Sequence, residues 1–119
     1  MHRFLLALLL FTASARAVDF SGVWSGTGVS KNEKQSFYFI FRTDGATLNG
    51  SGGPDLSKQD VIQNGRIDGE KVSFDLSPGA NTMLHFELSA DGAGLKGAVE
   101  LKNGHETVSG TVVLKKVKT

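Results

Sequence analysis

Three phenylalanines at alternate positions, Phe37-Tyr38-Phe39-Ile40-Phe41, constrain this chain more than any other stretch. Successive side chains on a β-strand point to opposite faces, so this spacing sets three rings on one side of a sheet. Asp44-Gly45 then turns the chain, and Leu48 and Gly50 begin the strand that returns. The unit recurs 47 residues later: Phe37, Phe39 and Phe41 fall on Leu84, Phe86 and Leu88, and Asp44-Gly45 falls on Asp91-Gly92. The recurrence fits a duplication of four strands, or two hairpins obeying the same turn and packing rules. Either way it bears on fold rather than activity.

The rest of the chain repeats this grammar. Phe20 to Val29 reads as a first strand, with Phe20, Gly22, Trp24 and Gly26 on one face. After the Phe37 hairpin, Gly53 to Asp60 has neither period nor apolar density and reads as a loop. Val61 to Ile67 is a weak strand, turned by Asp68-Gly69 into Lys71–Ser77, where Val72, Phe74 and Leu76 alternate with polar residues. Pro78 to Asn81 forms a loop, and the second hairpin follows. Asn103-Gly104 signals one more tight turn before a last strand from His105 to about Lys116.

These segments predict an all-β fold, an eight-stranded antiparallel up-and-down barrel, with a β-sandwich as the alternative. Eight strands suffice to close a sheet on itself, and short connections favour closure over the crossing a sandwich needs. In such a meander the three Asp-Gly turns gather at one end. The polar connections and Asn103-Gly104 gather at the other, which is where binding residues are expected.

A chain of 119 residues holds one domain at most. Residues 1–17 read as a cleavable signal peptide: His2 and Arg3 precede the apolar run Phe4–Phe11, and Ala15-Arg16-Ala17 supplies small residues for cleavage. That run is far shorter than the roughly 20 residues a bilayer requires. A buried N-terminal helix is the other reading, but the stretch has no polar face. The expected mature chain, 18–119, is thus secreted or periplasmic, without a transmembrane segment. Once Arg3 and Arg16 are removed, eleven basic residues stand against twelve acidic ones. That balance gives no footprint for nucleic acid. With no cysteine, the chain has no disulfide, thiolate ligand, thiol nucleophile or lipid-anchoring thiol.

Chemistry-bearing patterns are sparse. His85 and Glu87 share the outward face of one strand, yet two ligands do not make a metal site, and a solvated face accounts for them. No serine sits in a Gly-x-Ser-x-Gly elbow, and the Gly50–Gly53 cluster precedes no helix that could receive an anion. Asp55 and Asp60 share the expected long loop, but their spacing carries no specific glycosidase signal. No cofactor and no metal is expected. Asn49-Gly50-Ser51 fits a glycosylation sequon. Five phenylalanines (Phe37, Phe39, Phe41, Phe74 and Phe86) predict a mostly filled interior, with any pocket near the loops or in space left by Gly97 and Gly110.

Gly22-Val23-Trp24 on the first strand resembles the Gly-x-Trp signature of the calycin superfamily, the lipocalins, avidins and their relatives. The resemblance implies an up-and-down barrel open to small apolar ligands at one end. It also implies a tryptophan across the barrel floor near a basic residue of the last strand, here Lys115 or Lys116. The chain departs from that family in its short length and in having one tryptophan, so the aromatic box of avidins is absent. Its repeated hydrophobic-x-Gly pattern also resembles small exported bacterial β-proteins of unknown function.

The sequence therefore points to an exported, non-enzymatic binding protein that holds a small molecule or polymer fragment at its looped end. Asn32, Asp55, Lys58, Asp60, Asn81, Asn103 and His105 are the candidate site residues. The alternative is a protein-interaction module, such as a periplasmic protease inhibitor or an envelope accessory factor. It would make contact through the segment before Phe20 or through the outward pair Tyr38 and Ile40. A small hydrolase is a more distant third.

Overall fold

Residues 18–117 are described by the computed structural model; the expected signal peptide, residues 1–17, and residues 118–119 lie outside them. The strands are β1 (Gly22–Ser30), β2 (Glu33–Asp44), β3 (Thr47–Asp55), β4 (Lys58–Val61), β5 (Gln63–Asp68), β6 (Lys71–Gly79), β7 (Thr82–Asp91), β8 (Gly94–Asn103) and β9 (Glu106–Lys116). No helix occurs among the described residues, and so none is long and apolar enough to cross a membrane.

β4 and β5 are two halves of one stave. Both pair with β3, and the Ile62 amide between them donates to the Gly50 carbonyl at 2.9 Å. Counted this way the sheet has eight staves. Each is antiparallel to the next, and β1 closes the ring against β9 with Trp24 opposite Lys116 and Gly28 opposite Val112. Closure leaves no long unpaired edge, the feature that would otherwise template association.

The expected loops shrink to two-residue turns. All seven hairpins are joined by two residues: 31–32, 45–46, 56–57, 69–70, 80–81, 92–93 and 104–105. In particular Gly53 to Asp60 is no loop, because β3 continues to Asp55 and β4 begins at Lys58. Close approach of the two backbones hides this strand from a pattern reading. A Cβ on Gly53 would lie 1.9 Å from the Lys58 carbonyl oxygen, so glycine is required where a strand would normally carry a large side chain. Asp55 then makes the turn without glycine, its carboxylate accepting from both the amide and the hydroxyl of Ser57. Pro78 likewise belongs to β6 and not to a loop.

Alternation fills the barrel with rings. Phe39 stacks on Phe41 at a centroid distance of 5.4 Å and meets Phe74 and Phe86 edge-on at 5.3 Å each. Phe74 and Phe86, opposite each other on β6 and β7, stack at 4.9 Å. Toward the end bearing the Asp-Gly turns, Leu48, Val72, Leu88, Leu95 and Leu114 complete a fully buried core. Phe20 is buried there too, although it precedes β1 instead of starting it.

Candidate functional site

The two ends of the barrel differ in how they are closed. At the Asp-Gly end the chain folds its own N-terminal residues across the floor. The Trp24 indole N–H donates to the Phe20 carbonyl at 2.9 Å, and the ring is 3% exposed. Lys116 lies over that ring with Nζ 5.6 Å from its centroid, and it also donates to the Asp19 carbonyl at 3.3 Å. Of the two lysines suggested by sequence, Lys116 takes this place, because Lys115 pairs with Ser25 on the outward alternation.

The opposite end is hollow. A cavity of about 460 Å³ opens among the turns at 31–32, 56–57, 80–81 and 104–105, within the range typical of small-molecule pockets. Leu84, Val99, Leu101 and Val108 point inward as alternation predicts, yet they are only half-buried because they line this space. Phe37 forms its base and is 7% exposed, while Phe39, one pair deeper, is 0% exposed. Gly28, Pro54, Pro78 and Gly110 line the cavity at inward positions, with the Phe37 ring packed over Gly28. Gly110 lines the cavity as expected. Gly97 does not, since a Cβ there would lie 2.0 Å from the Glu87 carbonyl oxygen and the neighbouring strand occupies that space.

The wall of the mouth carries one seam. β5 pairs with β6 from Gln63 to Asp68, but β4 pairs only with β3 and leaves the Leu76–Gly79 segment of β6. Pro78 has no amide hydrogen to offer a ladder, which keeps that segment an edge. Asn64 marks the divergence with φ +54° and a bulge between Gln63 and Arg66, and its side chain donates to Asp75 at 2.9 Å.

All seven candidate site residues belong to this end, but only Asp60 lines the cavity. Asn32, Asn81 and His105 occupy turns, Asp55 and Lys58 flank the 56–57 turn, and Asn103 ends β8. All six are exposed. Hydrogen bonds from the Ser57 hydroxyl and amide hold the Asp55 carboxyl below its usual range, so Asp55 serves its own turn. Alternation alone sends the apolar lining residues into a packed core. The sequence signal for a cavity lies in Pro54 and Pro78, at inward positions of the same end.

His85 belongs to the outer wall. Its Nδ1 lies 2.6 Å from Asp75 and its Nε2 2.9 Å from Glu87, so both nitrogens are engaged by carboxylates. The hydrogen bonds to Glu87 and then Asp75 raise its pKa above 6.5. Burial pushes the Asp75 carboxyl up, but hydrogen bonds from Asn64 and His85 more than offset this and leave it below 3.8. The outcome is a hydrogen-bonded brace joining β5, β6 and β7.

Set against protein-family models, curated proteins and solved structures, the chain matches none of them.

Proposed function

We propose that this chain is an exported, non-enzymatic binding protein that holds a small apolar molecule in the hollow mouth of its barrel. The cavity of about 460 Å³ carries this reading, because Leu84, Val99, Leu101 and Val108 point apolar, half-exposed side chains into it. Burying such surface is favourable by roughly 25 cal/mol per Å². The floor made by Trp24, Phe20 and Lys116 adds support, since it reproduces the tryptophan-and-base arrangement expected from a calycin-like barrel. A rigid floor with an open mouth suits retention of a ligand. Export to the periplasm or exterior rests on the apolar run and small residues of 1–17.

Native mass spectrometry on protein recovered without denaturation tests the proposal directly. Added mass that leaves on collisional activation is expected, and Leu101→Trp, which fills the mouth, should abolish it. A bare protein that also fails to bind an apolar fluorescent probe, or a probe bound equally by Leu101→Trp, would overturn it.

One observation favours protein interaction as a second reading. Ile40 pairs with Val23 on one side and Ser51 on the other, and Ser51 pairs with Val61, which is 72% exposed. With Tyr38 one pair along, this makes an apolar outer strip across four strands. Ile40→Lys should then weaken capture of a partner while leaving probe binding intact.

A further inference from the structure

The polar groups at the mouth do not treat the two signs of charge alike. Asp60 occupies an inward position of β4, opposite Gly52, and lines the cavity. Its carboxylate is half-buried beside an apolar cavity. Among the described residues neither a hydrogen-bond donor nor a basic side chain reaches it, although Asp75 and Asp55 are both satisfied. Glu33, which shares the inward alternation of Phe37, adds a second carboxylate to the lining. Lys34 is the base that lines the cavity, and it belongs to the outward alternation of β2.

A carboxylate beside low-dielectric walls favours an opposite charge and disfavours a like one more strongly than in water. The seam between β4 and β6 runs along Asp60, Leu76 and Pro78, so a charged head can rest at the lip while a chain enters the barrel. We propose that the mouth selects a cationic amphiphile, with an apolar chain along Leu84, Val99 and Leu101 and an ammonium-type nitrogen at Asp60. This inference rests on the reading of the mouth as a ligand site and assigns that site its ligand class.

The test is isothermal titration of the intact protein at pH 7 with three probes of equal chain length: decylammonium, decanoate and decanol. Decylammonium should bind at least about tenfold more tightly than decanoate, about 1.4 kcal/mol, and lose that margin as salt is raised. Asp60→Asn should bring the two ions to within about twofold by removing the charge at the lip. Decanol affinity should stay unchanged, and so should Trp24 emission as a check on the fold. Decanoate binding as tightly as decylammonium, or an ion preference that survives Asp60→Asn, overturns the inference while leaving the ligand site intact. Failure of all three probes, decanol included, overturns the ligand site itself and the inference with it.

Discussion

Truncating two neighbouring rings should have unequal effects if the barrel is filled at one end and hollow at the other. Phe39 is 0% exposed and lies within 5.3–5.8 Å of the ring centroids of Phe37, Phe41, Phe74 and Phe86. Phe39→Ala therefore opens a sealed void among rings that cannot all move in, and it should cost about 3–5 kcal/mol. Phe37 points to the same side two residues earlier, but it forms the base of the mouth. Phe37→Ala merges its void with a space already open to solvent, so mainly the transfer term is lost, about 1.5–3 kcal/mol. Urea unfolding followed by Trp24 emission measures both. If Phe39→Ala leaves too little folded protein, Phe39→Leu against Phe37→Leu preserves the comparison. A second consequence is that Phe37→Ala should admit bulkier apolar probes, which Phe39→Ala should not. Equal costs, or a larger cost at Phe37, would refute the division into a packed floor and a hollow mouth.

Gly50 has φ +131°, and a Cβ there would lie 1.8 Å from the Ile40 carbonyl oxygen. Gly50→Ala should thus cost about 1–3 kcal/mol from backbone strain alone, with the steric collision adding to it, read as a lower urea midpoint. Trp24→Phe leaves the buried Phe20 carbonyl without its donor and should cost about 1–3 kcal/mol. Lys116→Met, which removes the cation over the ring, should cost only about 0.5–1 kcal/mol. The His85 brace predicts a pH dependence of known sign. Its raised folded pKa means that the stabilisation is fully present below pH 6.5 and is lost as pH rises through the higher folded value. The imidazole is 41% exposed, so the effect should stay below about 1 kcal/mol. His85→Asn should flatten the slope of unfolding free energy between pH 6 and 8. The depressed Asp75 acts oppositely, since its contribution is present above pH 3.8 and lost as pH falls below that value.

The fold was legible because its driving forces are local and periodic. Alternation on β2, β6 and β7 sets one face inward, and Asp-Gly at 44–45, 68–69 and 91–92 places a residue tolerant of positive φ where a two-residue hairpin needs one. The base expected near Trp24 is Lys116, on the inward alternation of β9. The β3–β4 hairpin was not legible. Gly53 and Pro54 carry no alternation signal, and β3 is carried through them by its pairing with β2 and β4, Gly53 standing opposite Tyr38. Tertiary pairing decided there, as it does wherever local preference is weak. All seven candidate site residues stand at the end that bears the mouth, and Asp60 lines the cavity. Polarity at a two-residue turn mostly reflects turn chemistry, as Asp55 and the positive-φ Asn32 and Asn81 illustrate.

Two residues that hide strands from a pattern reading, Pro54 and Pro78, also line the cavity. A barrel of this size closes around side chains, so what stands at its inward positions decides whether it is filled. Gly28, Pro54, Pro78 and Gly110 line the cavity at inward positions toward one end, whereas phenylalanine and leucine fill the interior toward the other. The two prolines flank the β4 seam from β3 and β6, so one choice of residue both hollows the mouth and keeps it from zipping shut. Replacing Pro78 by valine restores an amide hydrogen and a β-branched side chain to this edge of β6. If the seam is an edge held open by proline, Pro78→Val should allow β4 to pair with β6. Stability should then rise and access of apolar probes should slow, both in the same variant. Stability that rises while probe association stays as fast as before would mean that ligands enter through the ring of turns, and the seam would lose its role as a portal.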